Sequence, residues 1–409
     1  MIPPLLKVRQ ETGAPQIAHP AEELRKGLAV FGGKICSGQT VAIAAGSRGI
    51  GQTAELVKVV VEWVKGQGGK PFIVPAMGSH GAGTSEGQKQ VLAQLGISER
   101  AMGCPVRSEI DAREIGKVLG VRIFTDRNAL KAGHLILVNR IKPHTSFHAK
   151  YESGLCKMLA IGLGKRKGAE EMHKHGPDRL GQLIPAAAEF LLSKLPVLCG
   201  VAVLENYRER VAGIEVLAAK DFLKREPALL KRAYKLLLRL PFDELEVLVI
   251  DQIGKDKSGT GMDTNVVGRL DLRGMADPAG PRIRRIVALD LSPKSAGAAY
   301  GIGLADITTK RVVDKMDFQA MRENAMASAL VERARTPLWF ESDQDAIEAA
   351  VKTCWQPQLS KMRLCRIKST LELEEMWITR NLIPQSKVPL RIISRQARLR
   401  FDRKGNLER

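Results

Sequence analysis

A chain of 409 residues exceeds the usual single-domain size, so two domains, each with its own core, are expected. Hydrophobic residues make up 44%, and the 38 glycines and 20 prolines are spread through the chain, which excludes a disordered or low-complexity protein. The formal charge of +20 raises nucleic acid or acidic lipid as a partner, but aromatic residues that could stack on bases are 4% and no apolar run approaches membrane-spanning length, so neither nucleic acid nor membrane is expected.

The first ten residues lack the charged start and apolar core of a secretory leader. The cysteines (Cys36, Cys104, Cys156, Cys199, Cys354, Cys365) are widely separated and form no CxxC pair, which argues against a structural zinc or a disulfide framework. A reducing cytoplasm is the expected location.

In chain order, residues 41–45 read as a buried strand, and residues 53–65 as a helix. That helix has Thr53 as N-cap, apolar positions at Leu56, Val60, Val61 and Val64, and Gly66 as stop. Residues 71–75 form a second strand. The Ser85-Glu86-Gly87-Gln88 stretch is a capping-box signal for another helix, and residues 135–138 a third strand. A basic helical stretch over 221–240 ends at Pro241, and strands at 247–250 and 286–289 and a helix over 317–333 follow. The fold class is α/β, with two α/β domains (1–240 and 241–409), mostly parallel sheets and the active site in the cleft between them. From residue 361 onward, 13 Lys and Arg stand against 5 Asp and Glu, and this basic tail either docks or extends.

Between the first strand and helix, Ala45-Gly46-Ser47-Arg48-Gly49-Ile50-Gly51 imitates the glycine-rich turn of short-chain dehydrogenases. None of the tyrosines (Tyr151, Tyr207, Tyr234, Tyr300) has the lysine four residues later that those enzymes need, so a nicotinamide dehydrogenase is not expected. The turn still suits a phosphate or carboxylate, because backbone N–H groups at a helix start attract anions.

All seven histidines lie at or before residue 175, five of them at His134, His144, His148, His173 and His175, in a segment with glycine-rich turns and Lys157. An isolated histidine is as often structural as functional, but this clustering points to a site. His80 sits in a glycine-rich loop after a strand, where it has little apolar material to pack against. Ligands of α/β sheets bind outside the carboxyl ends of strands, so the His80 loop and the Ser47-Arg48 loop are expected to face one crevice.

Together, the loop with Arg48, the Gly78-Ser79-His80-Gly81 turn, Lys142-Pro143-His144, Ser153-Gly154-Leu155-Cys156-Lys157, and His173 resemble the lactate racemase family in order and spacing, as more weakly does Gly261-Met262-Asp263-Thr264-Asn265. The family cofactor is a nickel-pincer nucleotide, nickel bound to a pyridinium-3-thioamide-5-thiocarboxylic acid mononucleotide that is tethered to one lysine. The resemblance implies a racemase or epimerase of a 2-hydroxy acid or sugar acid, served by cofactor-synthesis proteins. It makes Lys157 the tether, His173 the nickel ligand, His80 and His144 the alternate acid and base, and Arg48 the carboxylate holder. It puts Ser47, Ser153, Gly154 and His148 around the cofactor. The chemistry is coherent: sulfur, carbon and imidazole donors suit square-planar nickel, and a guanidinium forks onto both carboxylate oxygens. The alternative is a non-catalytic protein of the same fold that binds a nucleotide or phosphorylated ligand.

The chain also departs from the family. Ala45 stands where an acidic residue precedes the arginine, and the interval from His144 to Lys157 is long, which makes His148 a competitor for the second base. The glutamine and lysine that the family places after the Asp263-Thr264-Asn265 element are not found, Gly268 and Arg269 standing nearby, which leaves Lys255, Lys257 or Arg269 to supply that charge.

Overall fold

The computed structural model describes residues 1–47 and 51–408. These divide into two compact units, residues 14–237 and residues 1–13 with 238–409. The first strand, β1 (Leu6–Gln10), pairs within the second unit, so the chain enters that unit, leaves it and returns.

The unit of residues 14–237 is built on β2 (Thr40–Ala45), β3 (Lys70–Pro75), a separate hairpin of β4 (Ala112–Val118) and β5 (Val121–Asp126), then β6 (His134–Arg140), β7 (Val197–Glu205) and β8 (Val211–Ala218). Its helices are α1 (Pro20–Ala29), α2 (Thr53–Gly66), α3 (Ser85–Gln94), α4 (Glu99–Met102), α5 (Arg127–Lys131), α6 (Leu155–Lys157), α7 (Lys165–His173), α8 (Pro177–Lys194) and α9 (Phe222–Leu236). The main sheet runs β3-β2-β6-β7-β8, parallel except for the last pair. Strands buried on both faces read as continuous apolar runs, which is why β2 is TVAIAA. Its alternate residues feed two cores: Ala42 and Ala44 pack with Leu135, Leu137 and Leu155, while Val41, Ile43 and Ala45 pack with Leu56, Val60 and Val64 of α2.

Strand order decides where a site can form. From β2 the chain goes to β3 on one side, then crosses back to β6 on the other, so the loops leaving β2 and β6 part in opposite directions. In open α/β sheets that divergence opens the ligand crevice. Ala45 pairs level with both Pro75 and Val138, so the three carboxyl ends lie side by side.

The second unit holds β9 (Glu244–Ile250), β10 (Arg282–Ala288), β11 (Ile307–Thr309), β12 (Leu338–Phe340), β13 (Leu364–Ile367), β14 (Glu375–Ile378) and β15 (Leu390–Ile392). The sheet order is β12-β11-β10-β9-β13-β14-β1-β15: five parallel strands extended by three antiparallel ones. The chain is therefore an α/β protein with mostly parallel sheets. The basic tail docks. Its β13 lies against the central β9, and Arg366 forms a buried two-bonded pair with Asp251, both bonds 2.8 Å.

Local expectations shift in three places. Thr53 is the first helical residue and not the cap, since Gln52 precedes α2 without a side-chain cap. The cap of α3 is Thr84, whose hydroxyl accepts the Gly87 N–H at 3.0 Å, because Gln88 turns inward instead of reaching back. The helix expected over 317–333 stops at Ser328, where Ala329 turns left-handed (φ +57°).

Candidate active site

Three loops leave the aligned ends of β2, β3 and β6. After β2, Gly46 lies close under Asn139 and Met158; a side chain there would meet Asn139 Oδ1 at 3.3 Å. Ser47 follows, half-buried, and Arg48 lies outside the described residues. The anion-binding turn expected here has a carboxylate from the chain itself: the Gly51 N–H is bonded to Glu205, which also pairs with Arg140.

After β3 the chain makes a tight series of turns from Ala76 to Thr84. Gly81 has φ +64°, and a Cβ there would stand 2.5 Å from the Gly87 carbonyl carbon, so only glycine fits. Buried Gln88 donates to Gly78 O at 2.9 Å, and Gly78 N–H reaches Gly162 O at 3.0 Å, which pins the loop from below. His80 is thus held exposed on a fixed backbone, and its Nδ1 shares a short hydrogen bond with Ser47 Oγ.

The third loop closes on itself. Lys142 and Ser153 exchange backbone hydrogen bonds (3.0 and 3.2 Å), and the residues between them wrap round the buried Glu152 carboxylate. Glu152 accepts from His144 N–H (2.5 Å), Ala149 N–H (3.1 Å) and the Tyr234 hydroxyl (2.8 Å). His144 Nδ1 accepts the Ser146 N–H at 3.0 Å, which requires a lone pair there and puts the proton of the neutral ring on Nε2. The His144 ring lies 4.4 Å from buried Phe147, and the Lys157 Nζ stands 5.7 Å from the same ring, within cation–π range. Phe147 therefore brings His144 and Lys157 together. His148 instead pairs with the Tyr234 hydroxyl at 2.8 Å and faces Glu152 at 3.6 Å.

Lys157 ends α6, which runs on through a wide π turn, Met158–Gly162, a distortion frequent at functional sites. At the start of α6, Asn139 Nδ2 donates to Gly154 O at 2.7 Å and Cys156 N–H donates to Glu226 Oε2 at 2.9 Å. A Cβ on Gly154 would lie 2.5 Å from the Glu226 carboxyl carbon. Gly154→Ala is accordingly expected to lower stability by about 1–3 kcal/mol through overpacking, read as a fall in the urea midpoint with unchanged slope.

Lys165, Glu152 and Glu226 carry this architecture, and the sequence reading passed over all three. Lys165 has no exposed surface, adopts φ +53°, donates to Pro75 O at 2.7 Å and stands 2.9 Å from Asp126 Oδ2. Burial lowers its ammonium pKa, against the opposing pull of Asp126. Burial likewise pushes the Glu226 carboxyl up to about 7, against the N–H groups that favour its charged form.

His173 ends α7 and is half-buried. What ties it to the other loops is α7 itself: Arg166 lies against Gly83 and Ala169 against Gly78, both in the His80 loop. His175, two residues on, has a buried Nε2 without a hydrogen-bond partner. The five-histidine cluster is not one site, however. His134 begins β6, at the opposite end of the strand from the crevice, and bonds Lys34 O at 3.0 Å. Among the described residues no group of three or more His, Cys, Asp or Glu is placed to hold a metal ion.

In the second unit, Asp263 caps the short helix Thr264–Val267. Arg269 bonds Asp306, Leu304 O and Ile283 O at 2.7–3.0 Å, and Lys257 pairs with Glu372 at 3.0 Å. Lys255 Nζ donates to Asn324 Oδ1 at 2.6 Å, so all three cations offered from sequence as carriers of the missing charge are engaged inside their own unit. No helix among the described residues is long and apolar enough to cross a membrane.

Residues 44–224 match the family described as a domain of unknown function, DUF362, which spans the three loops and Lys157 but less than half of the chain. No curated protein is a match. Among solved structures, the chain is similar to the lactate racemase apoprotein from Thermoanaerobacterium thermosaccharolyticum, with 11% identity and a TM-score of 0.48, covering 86% of this chain and 91% of that one.

Proposed function

We propose that the chain is an isomerase, a racemase or epimerase of a small 2-hydroxy acid or sugar acid, with His80 and His144 as alternate general acid and base. Inverting such a carbon means breaking its C–H bond and remaking it on the other face. Loss of a proton would leave a carbanion beside a carboxylate, whereas loss of hydride gives a planar 2-oxo acid. When bound, a nickel-pincer nucleotide supplies the hydride acceptor that this route needs.

The residues present fit such a group in type. Lys157 offers a half-buried amine against an aromatic ring, and His173 a single imidazole on the next helix. Lys157 would hold the nucleotide covalently and His173 would ligate the nickel; Ser47, Ser153, Gly154 and His148 would border it, and Arg48 would take the substrate carboxylate. The chain's own work is proton handling. As hydride leaves carbon, one imidazole takes the hydroxyl proton, and as hydride returns to the opposite face, the other gives a proton back to the same oxygen. Imidazole suits both halves because it titrates near neutrality.

The observation that supports this reading most is that Lys157 and His144 both lie against one buried phenyl ring in the loop after β6, with His80 fixed on the neighbouring loop. The test is intact-mass measurement of protein co-produced with the cofactor-making enzymes, followed by a screen of 2-hydroxy acids and sugar acids for optical inversion. A covalent adduct is expected that Lys157→Ala abolishes. An adduct with no inversion of any acid would favour the non-catalytic binding protein; no adduct would remove the tether.

A further inference from the structure

The face of α9 turned to the core reads Phe222, Glu226, Leu229, Leu230 and Ala233, all buried, so a carboxylate interrupts an otherwise apolar stripe. Carboxylates are rarely so buried without a purpose. This one points at the start of α6. Its Oε2 receives the Cys156 N–H at 2.9 Å, its carboxyl carbon fills the space a Gly154 side chain would need, and its Oε1 is buried without a hydrogen-bond partner. A buried unsatisfied oxygen is a cost the fold carries. A neutral apolar residue on this stripe would avoid it, at the expense of the carboxylate acceptor that the Cys156 N–H uses.

Helix starts leave N–H groups without intrahelical partners, and a side-chain acceptor there fixes the first turn. The first turn of α6 is Leu155, Cys156 and Lys157, so the group that fixes it also sets where the Lys157 stem departs. Two further contacts bind the same helix to this region: the Tyr151 hydroxyl donates to Leu223 O at 2.6 Å, and the Tyr234 hydroxyl donates to Glu152 at 2.8 Å. α9 thereby holds both the Lys157 turn and the His144 loop.

We infer that Glu226 is a positioning residue for Lys157, accepting the N–H groups that open its helical turn and so holding its amine over Phe147. The inference rests on the reading of Lys157 as the reactive amine, yet its test needs neither cofactor nor substrate. The full-length chain is trace-labelled with acetic anhydride, and acetylation of Lys157 is read by peptide mass spectrometry relative to Lys150 and Lys194 of the same unit. In Glu226→Ala the relative labelling of Lys157 is expected to change by at least about fivefold, the population shift equivalent to losing one helix cap of about 1 kcal/mol. Glu226→Gln, whose amide oxygen accepts the same N–H, is expected to return it to within about twofold of the native value, a rescue that a general loosening of the core would not give.

Equal labelling in native and Glu226→Ala protein, or a Glu226→Gln variant that behaves like Glu226→Ala, would overturn the inference. Should Glu226→Ala fail to fold, amide hydrogen exchange on the native chain decides: the 155–158 amides are expected to be protected, and exchange as fast as in the exposed 208–210 turn would overturn it. A failure here leaves the proposed activity standing, and an inactive loaded enzyme leaves Glu226 in its role.

Discussion

Lys165→Met is expected to destabilise the chain by about 3–5 kcal/mol, the largest stability loss foreseen for any single substitution near the site. Lys165 is fully buried, and its ammonium stands 2.9 Å from Asp126 and 2.7 Å from Pro75 O. Taking two charges out of water is costly, and a buried pair contributes little net stability. Removing one partner is different, because the other charge stays behind in low dielectric without compensation. Asp126 cannot relax away, since its other oxygen caps α5 through the Asn128 and Ala129 N–H groups at 2.7 and 2.9 Å. Methionine keeps the length of the stem while removing the charge, so the loss measures the charge. The double variant Lys165→Met with Asp126→Asn is expected to recover part of the loss, because the amide oxygen still caps α5. Urea denaturation checks this, and a loss below about 1 kcal/mol would mean that the pair is not what holds α7 against β3.

That pair also marks where sequence reading stops. β2, β3 and β6 were legible because strands buried on both faces must be runs of apolar, often β-branched residues, and Gly-rich stretches at their ends had to be loops at one edge of a sheet. From this the neighbourhood of Ser47, His80 and the 142–157 segment followed. Lys165, Glu152 and Glu226 were not legible as site residues, because a charged side chain reads as surface unless its partner is known. Those partners come from far along the chain: Asp126 for Lys165, Tyr234 for Glu152, Cys156 for Glu226. Glu226 alone left a usable sign, a carboxylate placed four residues after Phe222 and three before Leu229 on a helix's apolar stripe.

His134 shows the opposite error. Closeness in sequence to His144 counted for it, although a seven-residue strand carries the chain from one edge of the sheet to the other. The pairing of β1 with β14 and β15 was equally out of reach, since it joins opposite ends of the chain and no local pattern specifies such contacts.

On the proposed two-base reading, His80→Ala in the cofactor-loaded protein is expected to slow inversion by about 10²- to 10⁴-fold, the usual worth of a positioned acid or base, while the Lys157 adduct persists. His144→Ala is expected to match it in overall rate, because inversion needs both imidazoles in each turnover. The two variants should nevertheless part in single turnovers on pure enantiomers. Each keeps one base, so each is expected to oxidise one enantiomer to the 2-oxo acid and to fail with the other, in opposite senses. The resting hydrogen bonds add an asymmetry. A backbone N–H can only donate, so the Ser146 contact commits His144 to carrying its proton on Nε2, the donor form. Ser47 is a hydroxyl that can donate or accept, so His80 can present either a proton or a lone pair at Nε2 without losing its partner. The enantiomer whose hydroxyl meets His80 should therefore be oxidised faster by the native enzyme, and Ser47→Ala should erode that preference. Transient 2-oxo acid, trapped and measured enantiomer by enantiomer, reads all of this. Unchanged inversion in both histidine variants would end the two-base mechanism, because the hydroxyl proton would then have a route that needs neither imidazole.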